Sequence, residues 1–125
     1  MNVIDSSGWM EYFINGNNAG FFAPVIENTA DVLVPTINLF EVFMRILMEK
    51  NRDDALEAIA LMKECLVIDL DDSLALVAAE LSYELKLPMA DSIILATARM
   101  NAATLWTQDA HFKDIEGVKY IEKKG

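Results

Sequence analysis

Short apolar runs alternate along this chain with longer segments whose apolar residues recur at helical spacing, and that alternation limits the fold more than any other feature. The short runs are residues 3–5, 32–34, 66–68, 104–107 and 118–121, each three to four residues of mostly Val, Ile, Leu and Thr. The spacing between them predicts helices over 7–13, 20–26, 36–49, 53–64, 72–85 and 90–100, and a short one over 110–114. Pro35 marks the start of the third, Asp71-Asp72-Ser73 caps and charges the start of the fifth, and Asn15-Gly16-Asn17-Asn18 reads as a turn. Short buried strands separated by helices imply an α/β fold with three layers, α/β/α, around a short parallel central sheet. Such sheets bind ligands at the carboxyl ends of their strands. The order of the strands is not encoded in this pattern.

At 125 residues the chain reads as a single domain over residues 1–125, long enough to bury roughly two-thirds of its unfolded surface. Its 54% hydrophobic content is high, which leaves apolar residues to spare for a subunit interface. Cys65 is alone, so no intrachain disulfide forms. Asp5 and Glu11 sit where a secretory signal would be basic and then apolar, and no apolar run approaches the ~18 residues of a membrane span. A cytoplasmic location with no membrane partner is expected. The formal net charge of −10 argues against a stand-alone binder of nucleic-acid backbone and suits a protein that concentrates cations or docks a basic partner.

Four acidic residues stand in apolar surroundings with no Lys or Arg within two positions. Asp5 ends the first strand run, Glu41 lies inside the helical segment after Pro35, Asp91 opens the helix after Pro88, and Asp109 follows the Thr104–Thr107 run. Taken singly, Asp5, Asp91 and Asp109 fit helix N-caps. Glu41 fits a capping box with Asn38 or an i,i+4 pair with Arg45. Taken together, four carboxylates in one crevice would repel unless a cation compensated them. Oxygen-only ligands suit Mg2+ or Mn2+. Zinc is disfavoured because His111 and Cys65 stand alone, and His111 reads as a surface residue of the last short helix. The chain has no phosphate-binding glycine loop, no nucleophile elbow and no histidine pair.

Val3-Ile4-Asp5-Ser6-Ser7 resembles the opening of PIN domains. Pro35-Thr36-Ile37-Asn38-Leu39-Phe40-Glu41-Val42 resembles their second acidic motif, Ala90-Asp91-Ser92-Ile93-Ile94-Leu95-Ala96-Thr97-Ala98 the third, and Leu105-Trp106-Thr107-Gln108-Asp109-Ala110-His111-Phe112 the last. In order, spacing and length the set is similar to the VapC-type toxins of type II toxin–antitoxin modules, across essentially the whole chain. The resemblance implies a Mg2+- or Mn2+-dependent endoribonuclease, a homodimer and a cognate VapB-type antitoxin. On this chain it implies an acidic site of Asp5, Glu41, Asp91 and Asp109, with Thr107 orienting a carboxylate or water and Ser6 assisting by hydrogen bonding.

Asp5 and Asp91 are expected as direct metal ligands and Asp109 as a direct or water-mediated one. Glu41 is expected either to ligate or to act as the base on the attacking water. Arg45, Lys50, Arg52, Arg99 and Lys113 are candidates for contacts to an RNA backbone. Arg99 could lie along the crevice with Asp91 or compensate its own helix C-terminus. Phe40, Phe43, Leu47 and Phe21-Phe22 could receive an antitoxin helix or belong to the core. The alternative function is a non-catalytic PIN-like binding module acting through an acidic face. A phosphatase reading fails for want of a second acid after Asp5, and a receiver reading for want of a late Lys.

Overall fold

The structure is a computed structural model that describes residues 1–124. Its strands are β1 (Asn2–Ile4), β2 (Val32–Pro35), β3 (Leu66–Ile68), β4 (Thr104–Thr107) and β5 (Val118–Tyr120). They form one parallel sheet in the order β3-β2-β1-β4-β5. The helices are α1 (Ser6–Phe13), α2 (Ala19–Ile26), α3 (Thr36–Glu49), α4 (Arg52–Met62), α5 (Asp72–Leu85) and α6 (Met89–Met100), with single 3-10 turns at Thr29–Asp31 and Ala110–Phe112. The α/β architecture with a short parallel sheet is therefore the one the alternating pattern implies.

Strand side chains alternate between faces, and the two faces carry separate cores. Val3, Leu33 and Leu105 join Leu74, Ala78, Ile94 and Leu95 of α5 and α6. Ile4, Val32 and Val34 join Trp9, Phe22, Val42, Ala55 and Met62 of α1 to α4. Gly8 makes the second core possible, because a Cβ there would lie 2.6 Å from the Ile4 Cγ2 and 2.7 Å from the Phe22 ring. α1 can thus settle directly onto the end of β1.

From β1 the chain steps outward to β2 and β3, then crosses back to lay β4 on the other side of β1. The reversal opens a crevice at the carboxyl ends of β1 and β4, where a ligand site is expected. Two capping readings are overturned, although every helix starts within one residue of the position read from the sequence. α6 begins at Met89, with Pro88 at φ −55° and ψ 155° as its N-cap, so Asp91 lies inside the first turn and is not the cap. α3 begins directly after Pro35, which puts Asn38 inside the helix and rules out its capping box with Glu41. In both cases the fixed φ of proline has pre-set the chain for helix entry. Among the described residues no helix is long and apolar enough to cross a membrane.

Of the apolar residues with two readings, Phe22 is fully buried and Phe21 packs on Trp106, so both belong to the interior. Phe40 and Leu47 are exposed, and with Met44 and Met48 they form an unpartnered apolar face on α3.

Candidate active site

Asp5 is the first residue after β1 and the N-cap of α1, accepting the Gly8 N–H at 3.1 Å. Capping does not exhaust it. The Ser7 hydroxyl reaches both its oxygens, at 2.8 and 2.9 Å, and the Thr107 hydroxyl donates to Oδ2 at 2.8 Å. Burial to 2% exposure pushes the carboxyl up to about 7 against the pull of these hydrogen bonds, and the charge on Asp109 adds to the rise. The cap reading of Asp5 holds, and the cap leaves its carboxylate facing the loop after β4.

Thr107 ends β4 and is fully buried. Its Oγ1 accepts the Asp109 N–H at 2.8 Å while donating to Asp5, so one hydroxyl ties the loop after β4 to the loop after β1. Asp109 caps the Ala110–Phe112 turn by accepting the His111 N–H at 2.9 Å. Gln108, nearly buried between them, accepts from Asn18 at 2.9 Å and reaches the Ser7 carbonyl at 3.4 Å, which fixes the loop from behind.

Asp91 stands in the first turn of α6, where the helix dipole favours negative charge. Its carboxyl is nevertheless lifted to about 6, first by burial, then by Asp109, with Glu41 adding and His111 opposing. Glu41, one turn and more into α3, accepts the Ser6 hydroxyl at 2.6 Å. The same hydroxyl faces Asn38 Oδ1 at 2.9 Å, and Asn38, fully buried, donates through Nδ2 to the Ile4 carbonyl at 2.8 Å. Arg45 turns the other way and pairs with Glu49 at 2.7 Å, so the Glu41–Arg45 pair is absent.

The four acids therefore act on one another across one crevice: Asp109 on Asp5, and Asp109 and Glu41 on Asp91. Among the described residues no Lys or Arg forms an ion pair with any of them. The single basic group in contact is His111, whose Nδ1 lies 3.0 Å from Asp91 Oδ2 and 3.0 Å from Asp109 Oδ1. Asp91, Asp109 and His111 offer ligand atoms within 4.8 Å of one another, and Asp5 and Glu41 stand outside that group. Asp5 and Asp91, whose carboxyls burial holds above their ordinary range, together with Asp109 and His111 make a donor set that fits a divalent ion.

The sequence reading missed four residues. His111 is exposed, as read, but its ring turns to the acids and raises its own pKa through Asp109 above all. The Asp-x-His spacing across a single capped turn was the available signal. Asn38 and Gln108 carry no motif of their own. Lys123 follows β5 and lines a polar depression with Ser7, Gln108, Asp109, Tyr120 and Glu122. Arg99 lies in the last turn of α6, eight residues beyond Asp91, and donates to the Glu116 carbonyl at 3.4 Å, ahead of β5. That is the opposite end of the sheet from the crevice, so helix-end compensation is the reading that holds for it.

Comparison with solved structures gives close fold matches. A toxin–antitoxin complex from Klebsiella pneumoniae matches with a TM-score of 0.80 at 21% identity, over 95% of this chain and 96% of that one. The DNA-bound VapBC of Salmonella typhimurium matches at 0.76 and 16%, over 97% and 96%. The sarcin–ricin-loop-cleaving toxin VapC20 of Mycobacterium tuberculosis matches at 0.72 and 14%, over 90% and 92%. At such identities the likeness establishes a shared fold. No curated protein matches by sequence. The family model for the PIN domain matches residues 3–118, and the chain belongs to the PIN domain family.

Proposed function

We propose that this PIN domain is a Mg2+- or Mn2+-dependent endoribonuclease, the VapC-type toxin of a type II toxin–antitoxin module. The observation that carries the reading is the gathering of Asp91, Asp109 and His111 ligand atoms within 4.8 Å of one another, beside buried Asp5, with no Lys or Arg paired to these acids among the described residues. A bound divalent ion would supply Lewis acidity toward the scissile phosphate and lower the pKa of an attacking water.

The chain's own residues do the rest. Asp5, Asp91 and Asp109 are the metal-holding carboxylates, and Thr107 fixes the spacing between Asp5 and Asp109. Ser6 occupies Glu41 Oε1 and leaves the other oxygen to ligate or to take a proton from the water. Lys123, beside Asp109 and Ser7, is placed to meet a phosphate, which eases the conflict between an acidic protein and a polyanionic substrate. With water as nucleophile, the products carry 5′-phosphate and 3′-hydroxyl ends.

The partners follow from the same reading. One matched structure is named a toxin–antitoxin complex and another a DNA-bound VapBC, which supports a VapB-type antitoxin for this chain. A basic antitoxin segment suits the acidic crevice, and the exposed Phe40, Met44, Leu47 and Met48 face of α3 suits a homodimer. RNA as substrate is supported by the naming of one fold neighbour as a toxin that cleaves the sarcin–ricin loop.

The test is cleavage of a mixed RNA pool by the purified chain. Activity abolished by EDTA, restored by Mn2+ or Mg2+ and leaving 5′-phosphate ends supports the proposal. Undiminished cleavage in chelator, or 2′,3′-cyclic ends, overturns it.

A further inference from the structure

The acidic crevice contains one nitrogen donor. His111 Nδ1 stands 3.0 Å from an oxygen of Asp91 and 3.0 Å from an oxygen of Asp109, with the ring held at its backbone by the Asp109 cap. In an octahedral site with bonds of about 2.1 Å, neighbouring ligand atoms are about 3.0 Å apart. The two nitrogen–oxygen separations therefore already have the length of octahedron edges. In the metal-free protein the same separations serve a hydrogen bond from the ring to the carboxylates.

Resting on the metal-dependent reading above, we propose that His111 is a ligand of the divalent ion through Nδ1, alongside Asp91 and Asp109. Ligation requires the neutral ring with its proton on Nε2, and the ring is exposed enough at 59% to exchange that proton with solvent. The consequence is selectivity. Mg2+ takes oxygen ligands and keeps its waters, whereas first-row transition ions accept imidazole readily. A nitrogen donor tilts this centre toward Mn2+ over Mg2+, beyond what its carboxylates alone would give.

His111 is the sole histidine of the chain, so in untagged protein any imidazole bound to a metal is His111. Pulsed electron paramagnetic resonance on the Mn2+-loaded protein should show nitrogen modulation from a directly bound imidazole, and His111→Ala should remove it. Calorimetric titration should show the Mn2+ dissociation constant of His111→Ala raised about tenfold or more, with that for Mg2+ changed less than about twofold. Circular dichroism on the variant checks folding, which an exposed side chain leaves intact. Saturable Mn2+ binding without nitrogen modulation overturns the ligand role and leaves the metal reading standing. Equal weakening of Mn2+ and Mg2+ also overturns it. No saturable Mn2+ binding by the parent overturns both readings.

Discussion

The Thr107 hydroxyl donates to Asp5 Oδ2 over 2.8 Å, and through that contact the loops following β4 and β1 are locked together. Since Thr107 Oγ1 also accepts the Asp109 N–H, Thr107 spaces two carboxylates at once. Thr107→Val keeps the shape and removes the hydroxyl. It strips Asp5 of a hydrogen bond that stabilises its charge and leaves the Asp109 N–H unpaired. We expect a stability loss of about 1–3 kcal/mol by denaturant titration. We also expect metal affinity to fall about tenfold to a hundredfold by calorimetry. Thr107→Ser should retain most of both. Parent affinity in the valine variant would remove Thr107 from the site.

Much of this arrangement was legible in the sequence, for reasons that differ from residue to residue. Asp5 and Asp109 follow strands, and a parallel sheet sends everything after its strands to one edge. Capping roles are less legible than helix starts, which fall within one residue of the reading. Asp91 reads as a cap because Asp is a preferred N-cap residue, but Pro88 sets the entry angle one turn earlier and takes that position. Asn38 looked like part of a capping box and instead holds the end of β1 from across the crevice, a contact spanning 34 positions that no local pattern contains. His111 reads from the sequence as a surface residue of the last short helix. It is exposed, but the turn that folds it back over Asp109 brings its ring to the acids, and lone residues acquire neighbours only through tertiary structure.

Metal-free stability should depend on pH in a definite direction. Asp5 and Asp91 have folded values of about 7 and about 6, above their ordinary 3.8. A carboxyl raised on folding binds its proton better in the native state, so stability increases as pH falls from above the folded value toward the unfolded one. His111 is also raised, and its contribution is likewise present at low pH and lost as pH rises through its folded value. All three effects share a sign. The metal-free protein should melt higher near pH 5 than near pH 8, where a change of about 1 kcal/mol moves the midpoint by roughly 2–8 °C in a chain of this size. Saturating Mn2+ should raise the midpoint more at the higher pH, where the ligands are deprotonated. A metal-free melting curve that rises toward pH 8 would contradict the described electrostatics.

Asn38 tests whether the Glu41 side of the crevice is built or incidental. It is fully buried, donates to the Ile4 carbonyl at 2.8 Å and presents its oxygen to the Ser6 hydroxyl. Asn38→Ala leaves the Ile4 carbonyl without this donor and frees Ser6 to rotate. The expected destabilisation is about 1–3 kcal/mol by chemical denaturation. RNA cleavage under stabilising conditions should also fall, with Ser6→Ala showing a similar loss of activity and little loss of stability. If Ser6→Ala cleaves at the parent rate, the Ser6–Glu41 contact has no part in the chemistry.

Asp91→Asn separates the role of the charge from the role of the shape. The parent carboxyl is lifted to about 6 by burial and by Asp109, so near pH 8 its ionised form is held against both. The amide removes that penalty while occupying the same volume, and it can still meet His111 as an acceptor. The metal-free variant should therefore melt above the parent near pH 8. The gap should narrow as pH falls and close only below the ordinary value of 3.8, where the carboxyl is protonated in both the folded and the unfolded chain. The gain should vanish with Mn2+, because the parent then recovers through binding what the variant lacks. Cleavage should fall about a hundredfold or more, the scale on which one preorganised electrostatic group acts. A variant both more stable and less active fits a carboxylate kept for catalysis at the expense of the fold. A variant less stable than the parent near pH 8 would mean that Asp91 is structural, held in place by His111 as an ordinary ion pair.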